Sequence, residues 1–180
     1  MKSKNQPDDK KRNQTRLKSK VETRQAKKKS LEYAFWLLGR RAYTQKQIRE
    51  KLESKEFGSQ DIESTVERLI NLKFLDDFEF AKNYVRQSTL GKPKGKYRLK
   101  IELSRKGVDK ELIEQALTEE LSGEEDLASQ ALARYGKKFA KLDRQKRYEK
   151  SMRFLLGRGF SYDVAKKAVA TQSSNVKAQN

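Results

Sequence analysis

Along the middle of this chain apolar residues recur at helical spacing. Leu31, Ala34, Phe35, Leu38 and Ala42 fall at i, i+3, i+4, i+7 and i+11, and Ile62, Val66, Leu69 and Ile70 repeat the stripe further on. That spacing predicts helices burying one face. No stretch sustains the strict alternation of a strand. Helix starts are marked as well: Thr44 with Gln47, Asp76 with Glu79, and Ser122 with Glu125 have capping-box spacing, while Ser59, Asp109 and Ser161 can cap later helices. Both prolines, Pro7 and Pro93, lie outside the predicted helices, as an all-α chain requires.

The stripes are organised by a repeat. KLESKEFGSQDIESTV (Lys51 to Val66), ELSRKGVDKELIEQAL (Glu102 to Leu117) and FLLGRGFSYDVAKKAV (Phe154 to Val169) are anchored by Leu52, Leu103 and Leu155, spaced 51 and 52 residues apart. Each copy of a supersecondary unit must place its apolar residues alike, so the phrase predicts tandem modules. In each, a first helix (about Leu31 to Arg40, Phe78 to Ser88 and Glu125 to Lys138) leads to a second ending near the repeated Leu, and a turn opens the third. Phe57, Val108 and Phe160 share one slot after that turn and are expected to plug a small core. The expected organisation is three three-helix modules over 30–76, 77–122 and 123–170, with a disordered or loosely helical arm over 1–29 and a frayed tail over 171–180. Modules of about 50 residues are marginal alone and should lean on neighbours.

Charge changes this picture from scaffold to binding surface. The chain carries a formal +18 over 180 residues, which points to polyanions or acidic protein surfaces as partners. Half of that excess sits in the arm, where 12 Lys or Arg face 3 acids and large apolar residues are nearly absent. Such a segment cannot bury enough surface to offset its ordering entropy, and reads as a solubilising tail or a nonspecific tether to nucleic acid. Within the modules the densest cluster runs from Lys92 to Lys106. Lys92, Lys94, Lys96, Arg98, Lys100, Arg105 and Lys106 stand against one acid, Glu102, with Tyr97 among them. Cations with an interleaved aromatic and a Gly/Pro loop suit phosphate contact and base stacking. Arg40, Arg41, Lys137, Lys138 and Arg158 add cations at module edges. The competing reading is an ordinary solvated face, and the acidic stretch Glu111, Glu114, Glu119 and Glu120 is read that way.

Chemistry is mostly excluded. With no cysteine and no histidine the usual zinc, haem and iron–sulfur ligand sets are missing, so no metal site and no cofactor are expected. Gly91-Lys92-Pro93-Lys94-Gly95-Lys96-Tyr97 superficially resembles a phosphate loop, but its glycines are one residue too close and no Ser or Thr follows the lysine. The acid pairs Asp76-Asp77 and Glu124-Glu125 fall at helix starts, where carboxylates favour the dipole, not at a catalytic centre. The longest apolar run, Ala34 to Leu38, is far short of the roughly 20 residues that span a bilayer, and no signal-type stretch follows the basic N-terminus. A cytoplasmic protein is expected.

Read in order, these residues resemble the RecX regulatory proteins, modulators of the RecA recombinase. The resemblance covers 30–170: Ala34 to Leu38, Arg41-Ala42-Tyr43-Thr44 and Ile48 to Leu52, then Phe74-Leu75-Asp76-Asp77, Phe80-Ala81 and Tyr84-Val85. Lys92-Pro93-Lys94-Gly95, Leu99, Glu102-Leu103 and Lys106-Gly107-Val108 look like a middle signature, and Arg153-Phe154-Leu155 with Arg158-Gly159-Phe160-Ser161 like a final one. Each motif alone is weak; four in order at matching spacing are specific. Gln47 departs from the acid many members carry, and the long basic arm is not a general family feature. The resemblance implies helix-turn-helix-like modules in an elongated arc and no enzyme activity. It also implies binding to the RecA nucleoprotein filament and suppression of its extension, ATP hydrolysis and strand exchange; a monomer is expected. The alternative reading is a helical-repeat protein that binds single-stranded DNA or RNA through its basic face alone.

Overall fold

Thr44 sets the pattern for how this chain starts its helices. Its hydroxyl accepts the Gln47 amide while the Gln47 side chain accepts the Thr44 amide, a complete capping box. The computed structural model describes residues 25, 27–139 and 141–177, and every regular element among them is helical. Residues 1–24 of the expected arm lie outside the described residues. The chain divides into two compact units, Met1–Asp76 and Asp77–Asn180.

The first unit holds α1 (27–38), α2 (Gln45–Glu53) and α3 (Ser59–Asn71). Its core gathers Ala34, Leu37, Tyr43, Ile48, Leu52, Ile62, Val66, Leu69 and Leu75. Two sequence expectations are corrected here. Ala42 is exposed and Leu37 buried, because α1 ends at 38 and the helical stripe cannot continue through the following turn. Gly58, not Ser59, is the N-cap of α3, with Ser59 already its first helical residue. A polar contact that the apolar pattern hides pins α1 to α3: the buried Ser30 and Thr65 hydroxyls hydrogen-bond at 2.7 Å.

The second unit contains two three-helix groups. One is α4 (Asp77–Leu90), α5 (Lys96–Arg105) and α6 (Lys110–Glu120). The other is α7 (Glu124–Tyr135), a 3₁₀ turn (Gly136–Phe139), α8 (Arg144–Gly157) and α9 (Tyr162–Lys177). Each has its own core, around Leu99 and Leu103 in the first and around Leu132, Leu155 and Phe160 in the second. Asp109 caps α6 as expected, accepting the Glu111 amide, and the Ser161 hydroxyl accepts the Val164 amide at the start of α9. The expected frayed tail is helical through Lys177: Thr171 to Lys177 contain neither Gly nor Pro to stop α9.

The threefold phrase has a main-chain cause. In every copy the anchoring leucine's carbonyl accepts the amide of the plug residue five positions on: Phe57 to Leu52 at 3.3 Å, Val108 to Leu103 at 3.2 Å and Phe160 to Leu155 at 3.2 Å. A second, shorter bond closes inside each, from Glu56 to Glu53, Gly107 to Ser104 and Gly159 to Leu156. This paired arrangement is the Schellman stop, which needs its second-last residue in the left-handed region. Glu56, Gly107 and Gly159 occupy that residue at φ 60°, 87° and 85°. The first copy thus carries with a glutamate the strain that the others avoid with glycine. Val108 and Phe160 are buried as expected, whereas Phe57 is half-buried at the edge of its core.

Candidate nucleic-acid and partner interface

The loop from Gly91 to Gly95 and the start of α5 are held by the third helical group. A helix start leaves its first amides without partners, and here the turn after α8 supplies them. The Gly95 amide donates to the Arg158 carbonyl at 3.0 Å and the Tyr97 amide to the Gly159 carbonyl at 3.1 Å. The Lys96 amide donates to Glu124 Oε1 at 2.9 Å, at the start of α7. Side chains close the joint from the other direction: Arg158 donates to the Lys92 carbonyl at 3.2 Å, Arg98 to the Gly157 carbonyl at 3.3 Å, and Arg134 to the Gly91 carbonyl at 2.5 Å. Gly95 and Gly159 approach so closely that a Cβ on Gly95 would lie 2.3 Å from Gly159 backbone atoms. The two signatures read from the sequence, Lys92-Pro93-Lys94-Gly95 and Arg158-Gly159-Phe160, are therefore two halves of one joint.

The basic cluster is divided by this packing and by acids that linear sequence keeps far apart. Glu102 Oε2 meets Lys94 Nζ at 2.5 Å and accepts the Tyr84 hydroxyl at 2.7 Å, while its other oxygen accepts Arg98 Nε at 2.9 Å. Lys96 and Lys100 turn the other way, to Glu114 on α6, with Lys96 at 3.6 Å. Lys106 lies over the Tyr84 ring at 5.3 Å. Tyr97 and Arg105 are exposed on α5, and Lys92 is exposed in the loop before it. Of the edge cations, Arg158 reaches the joint and stacks over Tyr135 and Phe154 at 5.2 and 5.3 Å. Arg40 and Arg41 belong to the first unit, over the rings of Trp36 and Tyr43 at 4.3 Å each. Lys138 is exposed in the 3₁₀ turn, and the Lys137 side chain lies outside the described residues. In the acidic stretch Glu111 and Glu119 are exposed as expected, while Glu119 and Glu120 ion-pair with Lys82 of α4 at 3.1 and 4.0 Å, and Glu120 also pairs with Arg86.

Glu102 is the electrostatic centre of this surface. Burial pushes its carboxyl up, but hydrogen bonds from Lys94, Tyr84 and Arg98 outweigh that and hold it at about 2. Its folded value lies below the ordinary 4.5, so the stabilisation is fully present above that value and is lost as pH falls from 4.5 towards 2. Glu102→Gln is expected to cost about 2 to 3 kcal/mol at neutral pH, the side chain being mostly screened from solvent. Urea unfolding of both proteins across pH 7 to 3 checks this: the gap should narrow on acidification, and a gap independent of pH contradicts the assignment.

Among the described residues no group of acids is placed to hold a metal, and no helix is long and apolar enough to cross a membrane. Repeated three-helix units, each with its own core, define a helical-repeat protein. The family models for the RecX first, second and third three-helix domains match 31–69, 76–117 and 123–169, and the chain belongs to the RecX family of regulatory proteins. Regulatory protein RecX of Prosthecochloris aestuarii is 40% identical over 135 residues, covering 74% of this chain and 86% of its relative. That of Vibrio vulnificus is 38% identical over 142 residues, covering 78% and 90%. Among solved structures, RecX from Lactobacillus salivarius superposes with a TM-score of 0.74 at 25% identity, covering 82% of this chain and 96% of that one.

Proposed function

We propose that this protein binds the RecA nucleoprotein filament and restrains its extension, ATP hydrolysis and strand exchange during recombination and DNA repair. It acts as a cytoplasmic monomer without catalysis of its own. Membership of the RecX family through all three helical domains carries this reading. Its working units are the modules 30–76, 77–122 and 123–170. Three weak module contacts along a periodic filament reinforce one another through effective concentration, and the +18 charge favours the vicinity of a polyanion.

The test is a titration into RecA hydrolysing ATP on single-stranded DNA at moderate salt. Substoichiometric protein should lower the rate severalfold; an unchanged rate at one full equivalent overturns the proposal. The basic surface around Lys92, Lys94 and Arg98 supports a second reading, in which the protein binds single-stranded DNA or RNA and acts by that alone. Under it, RecA inhibition vanishes whenever oligonucleotide binding is removed by salt.

A further inference from the structure

The middle helices of the three copies offer an internal comparison. The positions six and two residues before the anchoring leucine are exposed in every copy. In the first they hold Lys46 and Glu50, which pair with each other at 3.9 Å, and in the third Glu149 and Arg153. The second copy has Tyr97 and Ile101 there, 61% and 53% exposed. The scaffold thus accepts charged residues in this row, and packing within the module does not account for an apolar pair. Singly exposed apolar residues are ordinary, but two at i and i+4 lie one above the other and make a strip. Among the described residues no ring, cation or hydrogen-bonding partner engages the Tyr97 side chain. Trp36 and Phe74, comparably exposed, already lie against Arg40 and Phe35.

Helical spacing sets Arg98 and Arg105 along one side of the strip and Lys100 along the other. Their acids do not cancel them. Glu102 is shared by Lys94 and Arg98, Glu114 is shared by Lys96 and Lys100, and among the described residues no ion pair engages Arg105. An apolar strip bordered by cations complements a helix whose apolar residues are bordered by carboxylates. We infer that Tyr97 and Ile101 form a docking strip for an acidic amphipathic helix of a protein partner. A nucleic-acid strand can stack on Tyr97 but gains no stacking from the aliphatic Ile101. A second copy of this chain would bring another +18 against the same cations. The inference takes from the filament reading only that the partner is a protein.

The repeat supplies its own test substitution. Tyr97→Lys with Ile101→Glu writes the first copy's pair into the second, conserves net charge, and should change melting by no more than about 2 °C. The probe is a labelled synthetic helical peptide with leucines at i and i+4 flanked by glutamates, followed by anisotropy against the full chain without RecA. The double variant should bind it about tenfold more weakly than the parent chain, while oligo(dT) affinity stays the same. A companion peptide of equal charge, its leucines replaced by serine, should bind the parent chain as weakly as the leucine peptide binds the variant. With RecA hydrolysing ATP on single-stranded DNA, about tenfold more of the variant should be needed for equal inhibition. Equal peptide affinity for parent and variant, a serine peptide as tight as the leucine one, or inhibition undiminished in the variant overturns the strip. Equal losses for peptide and oligo(dT) overturn its occupant. A parent chain that leaves RecA hydrolysis unchanged overturns the filament reading instead, and the peptide measurement then decides the strip by itself.

Discussion

Gly159→Ala is expected to lower the melting temperature of the unit Asp77–Asn180 by roughly 10 °C or more, corresponding to about 3 kcal/mol. Backbone strain alone does not produce that loss. Glu56 holds the equivalent residue of the first copy at φ 60° with a full side chain, so the conformation by itself costs about 1 to 2 kcal/mol. The larger part is steric: a Cβ on Gly159 would lie 2.4 Å from the Cβ and amide nitrogen of Arg98. Those atoms belong to a helix whose start is bonded to this same turn, so they cannot retreat without breaking the Tyr97 to Gly159 bond. Gly95→Ala should behave alike, its Cβ meeting main chain at 2.3 Å. Gly157→Ala, beside it in open space, is the control and should change melting by no more than about 2 °C. Calorimetry on the three variants decides the matter; if Gly159→Ala melts with Gly157→Ala, the joint is looser than described.

The second large effect is graded across the repeat. Phe160→Ala is expected to cost about 3 to 5 kcal/mol, because the ring is 2% exposed in the core of the third helical group and its removal leaves a cavity among Leu132, Leu155 and Ala165. Phe57→Ala, in the same slot of the first copy, should cost about 1 to 2 kcal/mol, since that ring is half-buried against Tyr33 at 6.4 Å and gives up less burial. Urea denaturation of the two variants tests the ranking. Equal losses would mean that position in the repeat, not burial, sets the contribution.

The scaffold was largely legible from the sequence because its determinants are local. Apolar spacing, the Thr44 capping box and the recurring Leu-to-plug phrase each act within a few residues, and each describes a helix or a helix end. The interface was legible only in part. Lys92 to Lys106 looked like seven cations against a single acid, yet Glu114 and Glu124 reach the cluster from α6 and α7, distances no linear window spans. Arg153 was legible as part of the Arg153-Phe154-Leu155 motif but not as a neighbour of the basic cluster, since only the fold of α8 brings it beside Lys94 and Arg98. Gly95 and Gly159 read as loop glycines. Only their meeting shows that each is required by the other.

At its centre that meeting is made by peptide groups. The bonds from Gly95 to Arg158 and from Tyr97 to Gly159 join main-chain amides to main-chain carbonyls, whereas the charges around them are side chains mounted on that frame. Arg98, Arg134 and Arg158 are tied to the frame through carbonyls, while the charges of Lys92 and Arg153 are separable from it. Lys92 or Arg153 can be exchanged, or their sign reversed, while the backbone geometry beneath stays fixed. One architecture can in this way present different potentials to different polymers, and the surface can be rewritten as a set of pixels on an unchanged screen.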